Sequence, residues 1–335
     1  MKQQDFNTLI SQFDALSAKQ RHSLLELLQH PEGIPDIVEH LEQRLHDHLE
    51  CPECQNTKIH RWGMHKGIQR YRCCACRKTF TALSNTPLSG LRMRERWMEY
   101  AEGMLHSEVL RKAAARCDIH LTTSFRWRHR FLKLADELNA EALEGIVEAD
   151  QTLFRESFKG QRKITVRTPR KRGNDKKKEA HWISVLVARD RHKHEADFVL
   201  HNFTIDKVEE ALLPRLSANI VLCTDGHVTF EAFTNEHKLT HKVLNASKGE
   251  RVKEGAYHIQ SVNSYHKRLK GWIARFHGVA TKYLHRYLGW FRWFDQHSHS
   301  EYQLIDFMAD FTTVEVINNM DLTKYLISEV RQSHS

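Results

Sequence analysis

Ile146-Val-Glu-Ala-Asp-Gln-Thr-Leu-Phe154 reads as a β-strand in which two acidic side chains are set among apolar ones. The period of two puts Glu148 and Asp150 on one face and Val147 and Ala149 on the other. Apolar runs of strand character recur at 181–189, 197–201, 220–224 and, briefly, 242–245. Helical spacing marks 228–233, a long amphipathic stretch over 257–275 and an aromatic-rich one over 280–294. Three successive strands, followed by alternating strand and helix, predict an α/β domain with a mixed sheet and flanking helices.

Carboxylates seldom occupy or adjoin buried strands without a cationic partner. Asp150 lies inside one such strand, and Asp225 lies just past the end of another, in Leu222-Cys-Thr-Asp-Gly226. Two carboxylates on adjacent strands can hold Mg²⁺, which takes one or two of them plus water and phosphate oxygens. Salt bridges to the many Lys and Arg side chains would account for the same pair. Glu148 is an auxiliary candidate on the face of Asp150. The long helix carries Asn263, His266, Lys267 and Lys270 at i, i+3, i+4 and i+7, hence on one face. Asn263 could serve as a neutral ligand and the lysines as phosphate contacts; a solvated basic face is the plainer alternative. His192 and His194 form no telling ligand set and are assigned no site.

Seven cysteines are present, five of them within residues 51–76. Cys51-Pro-Glu-Cys54 and Cys73-Cys-Ala-Cys76 have the two-knuckle spacing of a zinc ribbon, with Cys51, Cys54, Cys73 and Cys76 as ligands of a structural Zn²⁺. Cys74 is then the spare thiol, and His60 and His65 are the less favoured substitutes. An odd cysteine count without a visible secretory signal argues against a disulfide framework. Between Cys51 and Lys78 there are seven Lys and Arg side chains against the single acid Glu53.

The 335 residues carry a formal net charge of +9. It is unevenly spread, with four basic and nine acidic side chains in residues 1–50 and 47 against 33 in the remainder. A basic body points to a polyanion, nucleic acid first. A hydrophobic share of 40% excludes wholesale disorder. No apolar run approaches the ~20 residues of a membrane span. A cytoplasmic, nucleoid-associated protein is therefore expected.

The pattern predicts five segments. Residues 1–48 form an acidic helical lead-in and 49–82 the ribbon. Residues 86–140 form a helical region, 145–300 the α/β domain and 301–335 a helical tail. Within 86–140, a helix over 107–115, a turn at Cys117-Asp-Ile-His120 and a second helix capped by Thr122 or Thr123 and running to Leu134 suggest a helix-turn-helix. Arg126, Arg128 and Arg130 of that second helix are its DNA-binding candidates, with Phe125, Trp127 and Phe131 left for packing. Residues 159–178 hold ten bases and one acid and read as a basic loop, with Lys163, Arg170, Lys171 and Arg172 available to phosphates.

The N-terminal helices, the ribbon, Val-Glu-Ala-Asp150, Thr-Asp225-Gly and Val262-Asn-Ser-Tyr-His-Lys-Arg-Leu-Lys-Gly271 occur in this order. Together they resemble the zinc-ribbon, DDE-type transposases of bacterial insertion sequences, the ISXO-like group. The resemblance implies an RNase H-like fold and a site built from Asp150, Asp225 and Asn263, with Lys270 on the motif's lysine. It implies Mg²⁺ or Mn²⁺ in catalysis, double-stranded DNA as partner (element ends and target), and a homodimer joining two ends. Lys267 joins the candidates for DNA contact. Asn263 stands where the third acid is usually Glu. The amide lowers the site's negative charge by one, and Glu148, Glu254, His266 or His277 could compensate. The competing class is a DNA-binding regulator, or a degenerate transposase, that keeps ribbon and helix-turn-helix without catalysis.

Overall fold

The computed structural model describes residues 16–17, 21, 37–135, 139–161, 163–165, 181–245, 249–297 and 307–311. Most of the expected helical lead-in before residue 37, Arg170, Lys171 and Arg172 of the basic loop, and most of the C-terminal tail lie outside the described residues. The chain divides into two units, one running up to Asn85 and including 304–309, the other made of 86–303 and 310–335.

In the first unit, helix α1 (Ile37–Asp47) buries Ile37, Val38 and Leu41. A three-stranded antiparallel sheet follows: β1 (Ile59–His65), β2 (Ile68–Cys73) and β3 (Thr79–Phe80). Among the described residues its buried cluster is small, Cys51, Tyr71, Cys73 and Phe80 with Leu45, Leu49 and Ile59 against it, and Tyr71 stacks on Phe80 at 5.7 Å. So few apolar groups cannot by themselves offset the entropy of ordering this segment. The pairing of β1 with β2 shifts register between Arg61 and Met64. That irregularity leaves Trp62 and Met64 exposed.

The second unit opens with helices α2 (Trp97–Leu105), α3 (Leu110–Arg116) and α4 (Leu121–Phe131). The expected pair of helices is present with shifted bounds. His120, and not Thr122 or Thr123, starts α4, its Nδ1 accepting from the Thr122 amide. The inward face of α4 is Ser124, Trp127, Arg128 and Phe131, spaced i, i+3, i+4 and i+7. Phe125, expected to pack, is 41% exposed.

A five-stranded mixed sheet forms the centre of this unit. Strands β4 (Ile146–Arg155), β5 (Trp182–Asp190) and β6 (Glu195–Leu200) form an antiparallel meander. β7 (Val221–Thr224) pairs parallel to β4, and β8 (Thr240–Val243) parallel to β7, giving the order β6-β5-β4-β7-β8. This is the RNase H-like mixed sheet that the resemblance implies. β8 begins two residues before its expected position.

The two faces of the sheet differ. Val147, Ala149, Leu186, Ala188 and Leu222 pack with Val208, Leu212, Phe230 and Phe233 from α5 (Ile205–Leu212) and α6 (Val228–Glu236). The helix α5 was not expected from the sequence. Its signal is a single inward stripe, Val208, Ala211 and Leu212, within eight residues. The opposite face carries α7 (Gln260–Ala274) over β4 and β5, and α8 (Leu284–His297) against β6. The alternation of β4 therefore turns Glu148 and Asp150 toward α7. Between the helices and β6 lies a buried polar cluster: Tyr265 donates to Asp197 at 2.5 Å, and Arg292 pairs with the same carboxylate.

Helices α2–α4 are joined to this sheet by specific contacts. The Trp272 indole N–H of α7 donates to Ser107 Oγ at 2.9 Å. Arg292 donates to the Ala135 carbonyl at 3.0 Å, and a Cβ on Gly289 would lie 2.0 Å from that same oxygen. Only glycine allows so close an approach here.

Candidate active site

Strand register brings the two aspartates together. Ile146, Val147 and Glu148 of β4 pair with Val221, Leu222 and Cys223 of β7, a constant offset of 75 residues. Asp150 and Asp225 have the same separation in sequence. Continuing the register by two residues sets Asp225 beside Asp150, on strands spaced ~4.8 Å apart. β7 stops at Thr224, so Asp225 heads the turn that follows it.

That turn is tightly specified. The Thr224 hydroxyl accepts from the Gly226 amide at 3.1 Å and contacts His241 Nε2 at 2.8 Å. Asp225 Oδ1 accepts from the His227 amide at 3.0 Å. Gly226 has φ of +81°, and a Cβ there would lie 2.4 Å from a Val243 methyl. The Asp-Gly pair thus reverses the chain directly after β7 while leaving Asp225 exposed.

Asp150 is half-buried, and its Oδ1 accepts from the Gln151 amide at 2.8 Å. Its carboxyl is pushed up to about 7, by burial first and by the charge of Asp225 second; the Gln151 amide and Lys270 oppose the shift. A buried carboxylate with a second one beside it forms a donor set suited to a divalent cation, which offsets the negative charge and takes hard oxygen ligands.

Helix α7 supplies the third side of the site, and Glu148 fixes its position. Glu148 is fully buried. Its Oε2 accepts from the amides of Ser261 (2.8 Å) and Val262 (3.0 Å), at the first turn of α7. Its other oxygen meets His258 Nδ1 at 3.1 Å and the Arg191 guanidinium. Buried, with both oxygens engaged, it satisfies amides that a helix N-terminus otherwise leaves open. Glu148 is therefore a helix anchor, which corrects the expectation of an auxiliary metal ligand. Arg191 and His258, its partners, were not picked out from the sequence, because neither sits in a motif.

Along α7, His266 is buried and its Nδ1 lies 3.6 Å from Asp150 Oδ2. Burial, then Lys270, lowers the imidazole to about 4, so it is neutral. Lys270 is exposed but near enough for its charge to act on both Asp150 and His266. Asn263 and Lys267 are exposed on the same helix. Among the other candidates for compensation, Glu254 is engaged with Lys242 at 2.6 Å. His277 is exposed in the turn after the helix, with φ of +52°.

The DNA-binding candidates separate sharply. Arg126 is exposed. Arg128, expected on the outer face, is fully buried: it donates to the Glu108 carbonyl at 2.8 Å and lies 4.6 Å over the Trp290 ring. Enclosed in this way, it packs the helices and offers no group to DNA. Arg130 is half-buried and pins the preceding loop through the carbonyls of Pro87 (2.7 Å) and Ser89 (2.6 Å). Lys163 is exposed. Lys159, at the start of the basic loop, donates to the carbonyls of Phe276, His277 and Gly278 and so caps the C-terminal end of α7.

In the ribbon, Cys51, Cys54, Cys73 and Cys76 bring their sulfurs within 4.8 Å of one another. Cys51 and Cys76 are 3.6 Å apart, and Cys54 and Cys73 3.5 Å. Zinc with ~2.3 Å bonds sets tetrahedral thiolates ~3.8 Å apart, so the set fits Zn²⁺. Hydrogen bonds led by the Cys76 amide lower the Cys73 thiol to about 7, favouring the thiolate that zinc requires. Cys74 stands outside the cluster, its sulfur 3.1 Å from His60 Nε2.

No curated protein matches the chain. Residues 142–294 match the family model of the ISXO2-like transposase domain. The match spans the whole five-stranded sheet with α5 to α7 and most of α8, and includes Asp150, Asp225, Asn263 and Lys270. The part of the chain that holds the sheet and its paired aspartates is thus similar to the ISXO2-like transposase domain.

Proposed function

We propose that the chain is an insertion-sequence transposase that binds element ends and carries out metal-dependent DNA cleavage and strand transfer. The observation that carries this reading is the register match of Asp150 and Asp225, side by side under α7 within a transposase domain. Mg²⁺ or Mn²⁺ held between them would activate a water or 3′-hydroxyl and stabilise the leaving oxygen in an in-line displacement at phosphorus. Asp150 and Asp225 hold that charge in place, and Asn263 completes the coordination or orients the attacking group. Lys270 neutralises a phosphate next to the scissile bond. A homodimer would bring two ends together.

Binding is assigned to two basic surfaces. On α4, Arg126 and the exposed residues around it face outward. On the ribbon, Trp62 carries the Arg72 guanidinium 4.5 Å over its ring. Arg70 and Gln69 donate to the backbone carbonyls of Trp62 (3.1 Å) and Gly63 (2.9 Å), which holds the irregular turn of β1. An exposed aromatic ring beside several guanidinium groups suits contact with DNA. Zn²⁺ on the four thiolates would staple this segment.

The test is a strand-transfer assay with purified protein, labelled element-end DNA and a plasmid target, in Mg²⁺ or Mn²⁺. Wild type joins the ends and Asp225→Ala does not. Asn263→Glu reports whether the amide is tuned or merely tolerated. Specific binding without any nicking, under both metals, would identify a regulator instead.

A further inference from the structure

We propose that His266 is a ligand of the catalytic divalent cation, joining Asp150 and Asp225 in its protein shell. The inference rests on the transposase reading and assigns a ligand within that same site.

The start of α7 is fixed to β4 where Glu148 receives the amides of Ser261 and Val262. Two residues further along the strand, at Asp150, the chain has advanced ~6.6 Å. A helix rising ~1.5 Å per residue covers that distance in about four residues. Four residues beyond Val262 is His266, so His266 and not Asn263 is level with Asp150. The observed approach agrees: Nδ1 is 3.6 Å from Asp150 Oδ2.

That distance is too long for a hydrogen bond. It is close to the separation of two neighbouring ligands of one cation, since donors ~2.1 Å from an octahedral centre stand about 3 Å apart. The ring is 7% exposed, and its Nε2 has no hydrogen-bond partner among the described residues. A buried imidazole that serves no hydrogen-bond network would be replaced at lower cost by an apolar side chain, unless a ligand outside the protein engages it. The other groups able to compensate for an amide at position 263 are occupied or remote: Glu148 by α7, Glu254 by Lys242, and His277 beyond the end of the helix.

A nitrogen donor with no carboxylate behind it favours Mn²⁺ over the harder Mg²⁺. The test uses the full chain, zinc-loaded, with MnCl₂ as probe and no DNA. Pulsed electron paramagnetic resonance of bound Mn²⁺ is expected to show nitrogen coupling that changes to the ¹⁵N pattern when histidine alone is ¹⁵N-labelled. In His266→Gln the coupling disappears and the calorimetric Kd for Mn²⁺ rises on the order of tenfold. Mn²⁺ binding that needs Asp225, shows no histidine nitrogen and is unchanged in His266→Gln would overturn the assignment and leave the transposase reading intact. Absence of any Asp225-dependent Mn²⁺ binding would overturn both. The labelling arm uses unaltered protein, so it stands even if His266→Gln fails to fold.

Discussion

Two buried residues show how a single side chain can carry structure next to chemistry. His129 stacks on Tyr283 at 3.9 Å, and burial, then the charges of Arg286 and Arg128, depresses it to about 4. Its pKa is lowered on folding, so the unfolded chain binds the extra proton between pH 6.5 and about 4. Stability is full above pH 6.5 and falls as the pH drops through that window, by about 3 kcal/mol at most. Asp150, raised on folding, contributes with the opposite sign over the same window, so the His129 part is read by comparison: His129→Phe, which keeps a ring against Tyr283, should lose less Tm between pH 7 and pH 5 than wild type does. Glu148 is the second case. Glu148→Gln leaves Arg191 and His258 without their carboxylate and weakens the anchor of α7. We expect a loss of about 2 kcal/mol or more in denaturant unfolding, a stability effect that a metal ligand exposed at the site would not produce. Asp150 and Asp225 were legible as candidates because carboxylates stand out in or beside apolar strands. The role of Glu148 was not, since its partners Ser261 and Val262 are 113 and 114 residues away.

At the level of elements, the long amphipathic patterns were readable and the short or two-sided ones were not. In α4, aromatic and basic residues are adjacent in Phe125-Arg-Trp-Arg128, and periodicity alone permits more than one inward face. Trp290 of α8 selects the face that buries Arg128. Paired variants test the outcome. Arg126→Ala should weaken DNA binding in a fluorescence-anisotropy titration with no change in Tm, whereas Arg128→Ala should lower Tm by several degrees. The eight-residue α5 was missed because two turns give too little periodicity to separate it from the loop after β6. A further prediction concerns α8. Gly289→Ala drives a methyl into the Ala135 carbonyl, where neither backbone can yield cheaply, and should destabilise the protein by roughly 3 kcal/mol in chemical denaturation.

Over the whole molecule, charge and metal content supply the remaining tests. A net charge of +9, concentrated after residue 50, should give DNA affinity that falls steeply and log-linearly with salt. One Zn²⁺ per chain should be released on titrating four thiols with a mercurial. Trp62→Ala should retain that zinc while losing part of the DNA affinity. The class of sheet was visible in the sequence because its strands and long helices carry their own periodicity. The parallel pairing of β4 with β7 was not, since register is set by packing across 75 residues. Gly289 against Ala135, and Trp272 against Ser107, bind α2–α4 to the helices beside the aspartates. In the proposed enzyme the groove-reading residues and the cutting centre then act as a fixed ruler. Each base pair added between the recognised sequence and the cleavage point shifts the target phosphate ~3.4 Å and rotates it about 34° around the duplex. Spacing, as much as sequence, would define a valid element end, and a single inserted pair should stop cleavage while leaving binding unchanged.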